Sequence, residues 1–127
     1  MSPKLTLTIG LAITFLFSAA FVAAPEFFTM NAFPAAEGFA LDVGITMRYL
    51  LASTIFGVSV LLFQVRNLER ESDQKNVLLA SSIGFTVVCA AILYVTLVRG
   101  VEGSIPPIVA TGLVAVLSWF SWAKIRS

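Results

Sequence analysis

Four long apolar runs constrain this chain more than any other feature. They are Leu5–Ala24 (LTLTIGLAITFLFSAAFVAA), Ile45–Val65 (ITMRYLLASTIFGVSVLLFQV), Val77–Val98 (VLLASSIGFTVVCAAILYVTLV) and Pro106–Ala123 (PPIVATGLVAVLSWFSWA). A hydrocarbon core about 30 Å thick takes roughly 20 apolar residues as a helix. Each run is close to that length and shows no period-2 alternation, so helices are expected rather than strands. The expected fold is an all-α, integral membrane four-helix bundle, a single domain over residues 1–127. The composition agrees: only 12% of residues are charged, about half of what a soluble domain carries.

The first run is read as a retained span rather than a signal peptide. It is long for a signal core. Pro25 would also sit just after the cleavage point.

Lysine and arginine in the short connections set the expected orientation. Lys4 lies before the first span, Arg66, Arg70 and Lys75 lie between the second and third, and Lys124 and Arg126 lie after the fourth. These segments share one side, so both termini are expected in the cytoplasm of a multi-pass inner (plasma) membrane protein. The long connection Pro25–Gly44 then faces outward, with a short interfacial helix expected within Ala35–Val43. The Glu71–Lys75 spacing suits an i,i+4 ion pair.

Several chemistries are excluded by what is missing. The chain has no histidine and one cysteine, Cys89. Histidine-ligated haem, histidine proton relays and intrachain disulfides are therefore ruled out. A net charge of +1 with scattered basic residues gives no basis for binding nucleic acid. No acids pair across the apolar runs, so a proton or cation pump has little support. No metal or other cofactor is expected.

Two sets of residues stand out. The first is the charged outer ring: Arg48, three residues inside the second run, with Arg99, Glu37 and Asp42. An arginine at that depth needs a partner or must snorkel to the surface. Glu26, Glu37, Asp42 and Glu102 are the candidates. Asp42 is a poor same-helix partner, because a six-residue spacing puts the two on different faces. Arg48 and Arg99 could together serve an anion or lipid headgroup. Glu37 and Asp42 lack the nucleophile, metal set or phosphate loop that a catalytic site would add, so no catalytic residue is assigned. The second set is small and polar residues at helical spacing, which let helices approach closely in lipid. Gly10, Thr14 and Ser18 mark the first span, Ser53 and Gly57 the second, and Gly84 the third.

At MRYLLASTIFGVSVLLF the chain resembles small bacterial four-helix membrane proteins of the DoxX-like, domain-of-unknown-function type. The shared outline covers about Leu5–Phe63. A first span ends at a proline (Pro25), a connection follows, an arginine (Arg48) opens span two, and a small-residue run contains Gly57. The resemblance implies a four-helix bundle and carries over no catalytic residue.

The expected function is therefore non-catalytic. The chain would serve as an accessory or interaction subunit of a larger membrane assembly, with the bilayer and other subunits or its own copies as partners. The alternative is a protein that binds or transports a small molecule or lipid near Arg48.

Overall fold

The computed structural model describes residues 2–125, so Arg126, one of the basic residues of the tail, lies outside the described region. The described chain forms five helices and no strand: α1 (Pro3–Ala23), α2 (Pro25–Ala32), α3 (Phe39–Val65), α4 (Glu71–Arg99) and α5 (Ile105–Lys124). Of these, α1, α3, α4 and α5 are long and apolar enough to cross a membrane.

The breaks between helices follow from a few residues. The Ser2 hydroxyl accepts from the Leu5 amide at 3.3 Å and caps α1. Pro25 forces Ala24 out of the helical region (φ −140°, ψ 57°) and then occupies the first turn of α2. Gly38 (φ 52°) precedes α3 and Gly100 (φ 65°) closes α4 in the left-handed region that glycine favours.

Two helices start earlier than hydropathy suggests. α3 begins at Phe39 instead of Ile45, and α4 at Glu71 instead of Val77. The added turns carry Asp42, Glu71 and Asp73, acids that a helix N-terminus stabilises through its dipole. Hydropathy measures distance from water, so it stops where the apolar run stops, although the helix continues. The expected helix within Ala35–Val43 is corrected in the same way. The connection folds instead over Pro25–Ala32, while Phe39–Val43 belongs to α3. Lys75 does not pair with Glu71; its ammonium lies 5.7 Å from the centre of the Trp122 ring.

The lateral order of the spans is α3–α1–α5–α4. α1 packs along α3, α5 packs along α4, and a narrower α1–α5 seam joins the two pairs. α3 and α4 are consecutive in sequence but do not pack along their lengths. They come together at one end only, where Leu62 and Leu78 share a buried cluster with Leu7.

Hydroxyls cross-link the interior. Ser59 donates to the Thr14 hydroxyl at 2.9 Å and Ser18 to the Ala52 carbonyl at 2.9 Å, tying α1 to α3. Thr6 and Ser121 meet at 2.5 Å across the α1–α5 seam, so the start of α1 lies beside the end of α5. Ser81 and Ser118 meet at 3.2 Å, and the Trp119 indole donates to Thr86 at 3.2 Å, joining α4 to α5. Each such bond contributes about 0.6 kcal/mol in lipid, up to roughly 1.7. Gly10 permits the close three-way approach at the seam. A Cβ there would lie 3.3 Å from Val114 and 3.4 Å from Leu62.

Candidate functional site

Arg48 lies on the inward stripe of α3. Leu41, Ile45, Arg48, Ala52, Ser59 and Leu62 follow at spacings of three, four or seven, and all are buried or half-buried. Its Nη2 donates to the Phe28 carbonyl of α2 at 3.1 Å. The guanidinium carbon stands 5.2 Å from the centre of the Phe21 ring of α1. One side chain thus ties α3 to both preceding helices. Its acceptor is the main-chain oxygen of Phe28, the fourth of the eight residues of α2. The ring adds a cation–π contact.

The position of α2 makes this possible. Phe21 of α1 and Phe28 of α2 pack edge to face with centroids 5.0 Å apart, across the break at Pro25. Thr29 is buried against α3 at Gly44. A Cβ on Gly44 would collide with the Thr29 methyl, so only glycine allows this approach. The last turn of α2 is held from the other side of the molecule, where the Glu102 amide donates to the Ala32 carbonyl at 3.3 Å.

The expected charge ring does not assemble around Arg48. Among the described residues no carboxylate pairs with it; its contacts are Phe28 and Phe21. Glu26, Glu37, Asp42 and Glu102 are exposed, as is Arg99. The early start of α3 explains Asp42, which lies in the first turn of that helix on an exposed side. Arg99 ends α4 and takes no part in the cleft beside Arg48.

That cleft has a volume of about 480 Å³. It opens between α3 and α4 at the end of the bundle away from Leu62 and Leu78. Arg48, Met47 and Leu51 form the α3 wall, Val95 and Val101 the opposite wall, and Thr29 and Phe33 the margin under α2. Apart from Arg48 and Thr29 its side chains are apolar.

The small-residue positions divide into two groups. Gly10, Thr14 and Ser18 are buried and bring α1 onto its neighbours. Ser53, Gly57 and Gly84 face away from the bundle. No atom lies within 4 Å of a Cβ built on Gly57 or Gly84, and the Ser53 hydroxyl turns back to its own helix at Leu50, 2.8 Å away. The reason is rotational: α3 buries Ala52, Ser59 and Leu62, and α4 buries Leu78 and Ser82. Those stripes leave Ser53, Gly57 and Gly84 on other faces. Ala80, four residues before Gly84, is exposed as well.

Cys89 is half-buried, its thiol 3.8 Å from the Ile108 carbonyl of α5. Among the described residues no three of His, Cys, Asp and Glu come together in a way that could hold a metal ion. Sequence reasoning singled out Arg48 but missed its partners. A main-chain carbonyl has no signature in sequence, and Phe21, Phe28 and Gly44 gain meaning only once α2 folds back on α3. No protein-family model, curated protein or solved structure matches the chain.

Proposed function

We propose that the chain is a non-catalytic multi-pass protein of the inner (plasma) membrane that works by docking other transmembrane helices, as an accessory subunit or with its own copies. The observation that carries this reading is the pair of unused small-residue faces, Ser53–Gly57 on α3 and Ala80–Gly84 on α4. Small residues four apart are the means by which helices approach closely in lipid, where no hydrophobic force drives association. The chain uses such a stripe internally at Gly10, Thr14 and Ser18, and carries two more that no other helix among the described residues covers. α4 is the barest span: 11% of its apolar window is buried, against 33% for α1.

Orientation belongs to the same proposal. Lys4, Arg66, Arg70, Lys75 and Lys124 lie at the ends that would face the cytoplasm under the positive-inside rule, leaving α2 on the outward side. Kinship with the DoxX-like four-helix proteins is also proposed, on the run from Arg48 to Gly57.

Native mass spectrometry after mild detergent extraction tests the proposal. A homo-oligomer or a stoichiometric co-purifying membrane subunit is expected. A strictly monomeric protein with no such subunit refutes it.

A further inference from the structure

The Arg48 cleft points to a second kind of partner. A guanidinium carries five N–H donors, and among the described residues Arg48 has one hydrogen-bond acceptor, the Phe28 carbonyl. The group is half-buried on the wall of a cleft whose other lining, Thr29 apart, is apolar and includes Met47, Leu51, Val95 and Val101. We propose that this cleft holds one anionic phospholipid, its phosphate on Arg48 and an acyl chain lying between Leu51 and Val95.

Depth along the helix supports the assignment. Arg48 precedes Val65, the last residue of α3, by 17 positions, which is about 26 Å along the axis. A hydrocarbon layer is about 30 Å thick. An arginine that extends toward the nearer surface therefore meets the phosphate level of that leaflet. Arginine forks match phosphate oxygens with two parallel hydrogen bonds. The shape selects a lipid over a free anion, because the cleft offers no second cation and no cluster of polar donors to replace the hydration of inorganic phosphate. It also selects a lipid over a docked helix. A helix is about 10 Å across with its side chains and needs a groove along the whole span, whereas α3 and α4 close together at Leu62 and Leu78. The cleft volume, about 480 Å³, lies within the usual range for small ligands of about 300–1,000 Å³. Asp42 and Glu102 are exposed to water at this end, and their charge disfavours a dianion more than a singly charged phosphodiester.

This proposal is separate from helix docking: Ser53–Gly57 lies on another face of α3 from the cleft, and Gly84 lies 11 positions along α4 from Val95, about 16 Å down the axis. The test is native mass spectrometry of the full chain in detergent, titrated with phosphatidylglycerol or with phosphatidylcholine of the same acyl chains. Retention of one phosphatidylglycerol is expected, preferred roughly tenfold, as one charge-assisted contact would give. Arg48→Gln should abolish the preference. Arg48 also anchors α2, so Val95→Trp provides a second variant. It fills the cleft from the half-exposed α4 wall, keeps Arg48, and should lose retention of both lipids while melting like the parent. Inorganic phosphate should not displace the lipid. Equal retention of the two lipids by the parent protein overturns the proposal. So does undiminished retention by folded Val95→Trp, or displacement by inorganic phosphate. Oligomeric state is read from the same spectra, so loss of the lipid site leaves the docking proposal standing or falling on its own.

Discussion

Replacing Gly84 with leucine separates folding from docking. Within one chain the substitution meets open space, since no atom lies within 4 Å of the new Cβ. Removing a glycine from a helix interior favours the helix by about 0.8–1 kcal/mol, so the isolated protein should melt at the same temperature or slightly higher. In an assembly the same leucine wedges apart two helices that meet through Ala80 and Gly84. Overpacking a tight contact costs about 1–3 kcal/mol, and each 1.4 kcal/mol is about a factor of ten in affinity. Association should fall by roughly tenfold to a hundredfold. Energy transfer between labelled copies in vesicles, or retention of a co-purified subunit, measures it, and circular dichroism during heating measures the fold. Gly57→Leu gives the same reading for α3. Gly10→Leu is the contrast: its Cβ would already stand 3.3 Å from Val114, so it should unfold the bundle. Assemblies that survive both Gly57→Leu and Gly84→Leu unchanged would refute the reasoning. So would a Gly84→Leu protein that no longer folds as a monomer, because that face would then be packed within the chain.

Three further outcomes follow from the contacts described. Gly44→Ala should destabilise the protein by about 1–3 kcal/mol, because the added methyl meets Thr29; Gly44→Ala with Thr29→Ala should recover most of the loss in thermal melts. Ser59→Ala removes the hydroxyl that bridges α3 to Thr14 and should cost about 0.6 kcal/mol, at most roughly 1.7, in unfolding from bicelles; a loss beyond that range would mean more than this bond depends on Ser59. Gly100→Ala places a Cβ at φ 65° with nothing nearby; backbone strain alone should cost about 1–2 kcal/mol, and a neutral result in the same melt would contradict the left-handed cap.

Hydropathy located the first and last spans well, because Pro25 and Pro106 mark the end of α1 and the start of α5 where the apolar runs also break. Expected Leu5–Ala24 became Pro3–Ala23, and Pro106–Ala123 became Ile105–Lys124. It failed at the N-termini of α3 and α4, where Asp42, Glu71 and Asp73 count against an apolar run but suit the first turns of a helix. The small-residue spacing was legible as a set of faces, but not as pairings. Gly10, Thr14 and Ser18 cover an internal contact while Ser53, Gly57 and Gly84 do not, and only the rotation of each helix in the bundle decides that. Arg48 stood out because a charge inside an apolar run demands an explanation. Its partner stayed hidden because the acceptor is the main-chain carbonyl of Phe28, brought to Arg48 only by the fold of α2.

The order α3–α1–α5–α4 also bears on how the protein is made. The chain emerges from the ribosome from its N-terminus, and spans enter the membrane in sequence. α1 and α3 can therefore form their hydroxyl bridges, Ser59–Thr14 and Ser18–Ala52, before α4 is synthesised. α4 and α5 make a second pair that needs nothing from α3 except the short turn after Val65. The halves then join along one face of α1, through Thr6 against Ser121 and Gly10 against Val114. The first span inserted is the one that joins the two pairs. A lesion on α1 should leave an orphaned α4–α5 hairpin in the bilayer, whereas a lesion on α4 should leave the α1–α3 half assembled.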